Sequence, residues 1–98
     1  MRKVLFETHH LYYWPNFRPI IDEMNISDGF DIHVSMPQRN LGIQQNILIK
    51  ECNKLAIQFI TADSELKRIE KIYNEAYDII IVGNVGKLNE IVNDDTLA

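Results

Sequence analysis

Two hydrophobic rhythms alternate along the chain. Short apolar runs at Val4-Leu5-Phe6, Phe30 to Met36, Ile57 to Thr61 and Ile79 to Val82 are separated by longer stretches in which apolar residues recur every third or fourth position. A short continuous run suits a buried strand, and the three-to-four spacing suits one face of a helix. Strand one is therefore expected over Lys3–Thr8. Phe17, Ile20, Ile21 and Met24 then share a helical face, with Pro15 and Pro19 before that helix or in its first turn, where a missing N–H costs little. Ser27-Asp28-Gly29 marks a turn.

Strand two, Phe30 to Met36, mixes Ile32 and Val34 with Asp31 and His33 and is stopped by Pro37, which places it nearer a sheet edge than strand one. Helix two, from Leu41 to Leu55, carries Ile43, Ile47, Leu48, Cys52 and Leu55 along one stripe. Strand three spans Ile57–Thr61, and Asp63 or Ser64 just after it is placed to cap the next helix. That helix turns Leu66, Ile69, Ile72, Tyr73 and Ala76 inward and leaves Lys67, Arg68, Glu70, Lys71 and Glu75 on a solvated face. Strand four, Ile79 to Val82, is four consecutive β-branched residues ending in Gly83-Asn84, and reads as a central strand buried on both faces. Val85 to Val92 form a last short helix, with Leu88, Ile91 and Val92 as its apolar side. Thr96-Leu97-Ala98 look like the opening of a fifth strand, so the chain reads as truncated within a longer one.

Strict alternation of strand and helix predicts a parallel sheet with crossover helices. The expected fold is a three-layer α/β/α Rossmann-like open sheet, four strands in the order 3-2-1-4, as a single domain over residues 1–98. The 98 residues agree with this, because single domains most often run to about 100–150 residues. No second domain fits within them.

Composition narrows the partners. With 46% hydrophobic and 24% charged residues the chain can bury a core, although a domain this small hides only about 60–70% of its unfolded surface. The net charge of −4 argues against nucleic acid, whose binders concentrate Lys and Arg in excess of acids. A single cysteine, Cys52, excludes an internal disulfide framework and a multi-cysteine zinc site and suits a reducing cytoplasm. The first apolar run breaks at Glu7, unlike a signal peptide, and no stretch approaches the roughly 20 apolar residues that span a bilayer.

Open parallel sheets bind ligands beyond the carboxyl ends of their strands, at the crevice where strand order reverses. In the order 3-2-1-4 that crevice lies between strands one and four. The flanking loops are His9-His10-Leu11-Tyr12-Tyr13-Trp14 and Gly83-Asn84-Val85-Gly86-Lys87. The first reads in two ways. His9, His10, Tyr12, Tyr13 and Trp14 are candidate substrate-binding residues, imidazoles to exchange protons and rings to stack on a sugar, lipid or partner. Alternatively, the rings cover the core end of helix one and the histidines are bystanders. Adjacent histidines with no nearby carboxylate or cysteine make no metal set, so no metal is expected.

Gly83 and Asn84 complete the candidate site, although their loop is also an ordinary turn after a strand. It lacks Walker spacing and the full G-x-G-x-x-G, and strand one ends without glycine, so no cofactor is expected. Cys52 sits on an inward stripe and His33 on a strand, and both read as structural.

Residues Lys3 to Phe17, Tyr77 to Asn84 and Asn93 to Ala98 resemble the N-terminal half of CDP-glycerol glycerophosphotransferase-like proteins, within the broader GT-B glycosyltransferase architecture. The likeness extends over essentially the whole chain and is sharpest in the first seventeen residues, where the His-His-Leu-Tyr-Tyr block is unusual. It implies a transferase of two Rossmann-like domains facing a cleft, acting in teichoic-acid-type cell-envelope polymer synthesis. The nucleotide donor would be held mainly by a C-terminal domain and the polymer or sugar acceptor served by this one. It implies no catalytic residue in this chain, the general-base histidine following the next strand, beyond Ala98. It implies a cytoplasmic parent, at the inner face of the membrane where it associates peripherally. The rival reading is a stand-alone Rossmann-like binding or regulatory module without catalysis. A third is a small complete enzyme of flavodoxin-like build.

Overall fold

Four strands and three helices follow one another in the computed structural model, which describes residues 1–8, 11–37 and 42–82. Strands β1 (Arg2–Glu7), β2 (Phe30–Ser35), β3 (Gln58–Phe59) and β4 (Ile79–Val82) alternate with helices α1 (Trp14–Ser27), α2 (Ile43–Lys54) and α3 (Glu65–Glu75). All pairings are parallel and the sheet order is β3-β2-β1-β4. This is the Rossmann-like open sheet that the strand–helix alternation predicts.

Register divides the sheet into two unlike faces, because successive side chains on a strand point to opposite sides. Val4 and Phe6 of β1 pair with Ile32 and Val34 of β2 and with Ile79 and Ile81 of β4. Helices α1 and α2 cover this face, and Trp14, Phe17, Ile21, Leu48 and Cys52 join the strand residues in one core. The Phe6 and Phe17 rings pack at 5.3 Å between centroids and tilt by 59°. Complete burial of side chains such as Phe6 and Ile21 stabilises the fold by about 1.5–3 kcal/mol each. The other face aligns Lys3 with Asp31, Leu5 with His33 and Glu7 with Ser35. It is largely polar, and α3 lies on it.

Several local expectations are corrected. β1 runs over Arg2–Glu7 rather than Lys3–Thr8, although the Thr8 N–H still donates to the Ser35 carbonyl at 2.9 Å. Among the described strands β2 is no nearer an edge than β1, since each has a neighbour on both sides. Its Asp31 and His33 are accommodated by partners on the polar face instead of by an edge. β3 retains only Gln58 and Phe59 of the five residues Ile57–Thr61. β4 borders β1 alone among the described strands, and its residues are half-buried or exposed. A β-branched run suits a pleated, half-buried surface as well as a fully buried one.

The helices differ as well. α1 begins at Trp14, directly after a 3₁₀ turn over Leu11–Tyr13, so Pro15 falls in its first turn but Pro19 lies inside it. Pro19 therefore withholds the N–H that the Pro15 carbonyl would accept. Phe17 and Ile21 are buried while Ile20 is not. Asp28, rather than Gly29, takes the left-handed conformation that ends α1, with φ of 55°. In α2 the buried residues are Leu48 and Cys52, and Ile43 and Ile47 face outward. Leu41 and the segment from Gly83 onward, including the expected last helix and fifth strand, lie outside the described residues.

The largest reversal concerns α3. Its buried residue is Arg68, while Leu66, Ile69 and Tyr73 are 69%, 50% and 85% exposed. The helix meets a polar sheet face with its polar side. The Ser64 hydroxyl, not Asp63, caps it by accepting the Lys67 N–H at 3.2 Å.

Candidate functional site

β1 and β4 lie side by side and parallel, Glu7 opposite Val82. The chain therefore leaves both strands at the same end of the sheet, the end at which strand order reverses and ligands bind in such folds. The residues next in sequence after these strand ends include His9, His10, Gly83 and Asn84. All four lie outside the described residues.

The remaining candidates occupy the start of α1. Tyr12 lies on the 3₁₀ turn, and its side chain is outside the described set. Tyr13 is the half-buried residue before α1. Trp14 is only 5% exposed and belongs to the core. Its ring therefore packs within the core, and the histidines on which the two readings of this loop differ lie outside the described residues. The Leu11 N–H donates to Gln44 Oε1 at 3.1 Å and so ties the loop to α2.

Beneath the same sheet end lies a charged cluster around Arg68, a residue that the spacing of α3 alone places on a solvated face. Arg68 Nη1 donates to Glu7 Oε1 at 2.8 Å, to Glu7 Oε2 at 3.0 Å and to Ser35 Oγ at 2.6 Å. Nε and Nη2 grip the two oxygens of Glu65 at 2.8 and 2.6 Å. Burial alone would lower the affinity of the guanidinium for its proton, but Glu65 and Glu7 outweigh it and raise the pKa. The Arg68 side chain is 5% exposed and that of Glu7 16%. The cluster joins the ends of β1 and β2 to the first turn of α3, and thereby holds the strand end that leads into His9 and His10. The available signal was the polar alternation Lys3, Glu7, Asp31, His33 and Ser35, which needed a polar helix face above it.

A second polar group sits nearer the opposite ends of the strands. His33 is 3% exposed. Its Nδ1 lies 2.7 Å from the Tyr77 hydroxyl and its Nε2 lies 3.0 Å from Asp31 Oδ1. The imidazole and phenol rings meet edge to face, 5.2 Å between centroids. Burial, with Glu75 and Asp31 nearby, pushes the Tyr77 phenol up, so it stays protonated. Lys3 Nζ pairs with Glu75 Oε2 at 2.9 Å; this hydrogen bond raises the lysine pKa and lowers that of the carboxylate. Both polar partners of His33 are satisfied in place, which fits the structural role expected for it.

A cavity formed by described residues lies at the opposite edge of the sheet from β4. It measures about 280 Å³ and is lined by β3 and α3, including Phe59, Thr61, Lys71 and Asn74. Lys71 Nζ closes its rim by donating to the Thr61 carbonyl. Among the described residues no three His, Cys, Asp or Glu side chains gather as a metal set, and no helix is long and apolar enough to cross a membrane. Comparison of the chain with protein-family models, curated proteins and solved structures finds no match in any of the three.

Proposed function

We propose that the chain is the acceptor-side, N-terminal domain of a transferase that moves glycerophosphate or a sugar from a nucleotide-activated donor to a hydroxyl group. The observation that carries this reading is the parallel contact of β1 with β4, which brings the two strand ends preceding His9-His10 and Gly83-Asn84 to one end of the sheet. The resemblance of Lys3 to Phe17 and of Tyr77 to Asn84 to CDP-glycerol glycerophosphotransferase-like proteins supplies the reaction class.

Such a transfer needs a base for the acceptor hydroxyl and positive charge for the departing nucleotide diphosphate. The buried cation at this sheet end, Arg68, directs its donors to Glu7, Glu65 and Ser35. Arg68 is committed to holding the fold, so in this reading the charge that meets a departing diphosphate comes from elsewhere. In this reading the donor nucleotide and the general base belong to a C-terminal domain and later segments of the parent polypeptide, which works on cell-envelope polymer from the cytoplasmic side of the membrane.

Titration of the isotope-labelled chain with a glycerol-phosphate oligomer and, separately, with CDP tests the proposal by amide shifts. The oligomer is expected to shift amides within residues 9–14 and 83–84, and CDP to leave them unmoved. Tight binding of CDP or of a flavin by this chain would reject the acceptor assignment in favour of a self-sufficient binding module.

A further inference from the structure

α3 presents an apolar stripe to solvent. Leu66, Ile69 and Tyr73 are 69%, 50% and 85% exposed, and their i, i+3, i+7 spacing puts them on one side of the helix. The stripe is displaced outward because Arg68 occupies the inward position, locked to Glu7 and Ser35. Rotating α3 to bury the stripe would strand Glu7 at 16% exposure without its cation, so the outward face is a consequence of the polar cluster.

We infer that this stripe is a self-association surface, seating the α3 of a second copy of the chain antiparallel across a two-fold axis. The charges beside the stripe carry the choice of partner. Lys67 and Glu70 are exposed, lie on the same flank one turn apart, and form no ion pair among the described residues. In an antiparallel pair like flanks face each other. Bringing Lys67 level with Glu70 of the second copy makes two equivalent ion pairs, as a two-fold interface requires. The same register seats Leu66 between Ile69 and Tyr73 of the second copy, and the two Ile69 side chains meet near the axis. One helix of this length covers far less than the roughly 800 Å² per partner of a standard interface. The association is accordingly weak, concentration-dependent and sensitive to salt.

Sedimentation equilibrium over a wide concentration range tests the surface with three samples besides the native chain: Lys67→Glu, Glu70→Lys, and an equimolar mixture of the two. Both sites are exposed, and circular dichroism confirms that each variant folds. Each single variant faces like charges at both contacts and is expected to associate about tenfold more weakly than the native chain. The mixture restores opposite charges at both contacts and recovers native association. A native chain that stays monomeric throughout overturns the inference and leaves the stripe to another segment or another protein. Single variants that associate like the native chain, or a mixture no tighter than its components, overturn the antiparallel register.

Discussion

Arg68 Nη1 straddles the carboxylate of Glu7, 2.8 Å from one oxygen and 3.0 Å from the other, across sixty-one residues of sequence. Removing one partner of a buried pair leaves an uncompensated charge, which costs about 3–5 kcal/mol. Arg68→Ala is therefore expected to lower unfolding stability by that amount, a large share of the roughly 5–15 kcal/mol typical of small domains. Replacing both partners, as in Arg68→Met with Glu7→Gln, is expected to recover most of the loss. Urea denaturation of the native chain and the two variants checks the order, and equal losses for the single and the double variant would contradict it.

Tyr77 makes a narrower prediction. Its hydroxyl lies 2.7 Å from His33 Nδ1, and His33 is almost fully buried. Tyr77→Phe keeps the edge-to-face ring contact and deletes only the hydroxyl, leaving a buried ring nitrogen without its partner. The expected cost is about 1–3 kcal/mol, read as a lower denaturation midpoint with an unchanged slope. A variant as stable as the native chain would mean that water replaces the phenol at no cost.

The topology was legible because hydrophobic rhythm reports strand and helix directly, and alternation of the two leaves few connections open. Val4, Phe6, Ile32 and Val34 stand on one face in the structure as their spacing requires. The orientation of α3 was not legible from α3 alone. Leu66, Ile69 and Tyr73 form the usual signature of a buried face, and only the partner surface decides otherwise. Lys3, Glu7, Asp31, His33 and Ser35 define that surface, but their effect depends on which helix crosses it. Pairing of β1 with β4 was likewise a consequence of topology, whereas the engagement of Arg68 required distances. Of the candidate site, Trp14 resolves as core, and His9, His10, Gly83 and Asn84 rest on the strand ends that precede them.

Acid should weaken the fold through two carboxylates. Glu75 is held below its ordinary pKa by its hydrogen bond to Lys3, and Glu51 by its hydrogen bond to Lys54 with help from Arg18. A depressed carboxylate contributes stability that is present above its unfolded pKa and lost as pH falls through the folded value. The loss is thus expected to begin near the ordinary 4.5 and to continue below it. Lys3→Met removes the partner of Glu75 and is expected to flatten this part of the profile. Thermal unfolding of both chains from pH 6 down to about 3, on either side of the ordinary carboxylate range, checks the difference in slope. Parallel profiles would show that the Lys3–Glu75 pair adds nothing.

Cys52 supplies the alkaline counterpart. The residue is fully buried in the core on α2, and burial first, then the negative charge of Glu51, pushes its thiol from the ordinary 9.0 up to about 12. Because the thiolate is the reactive form and the native site is closed to reagent, alkylation must await opening of the core. Even about 5 kcal/mol of stability would slow modification by roughly 10³–10⁴-fold relative to the unfolded chain. Linkage gives the sign of the pH effect. The unfolded thiol ionises above 9.0 while the folded one stays protonated to about 12, so the unfolded state binds fewer protons and stability falls as pH rises between those values. A Cys52→Ala variant is expected to lack this part of the alkaline decline. A native thiol that reacts at the rate of an unfolded one would place Cys52 outside the core and remove both expectations at once.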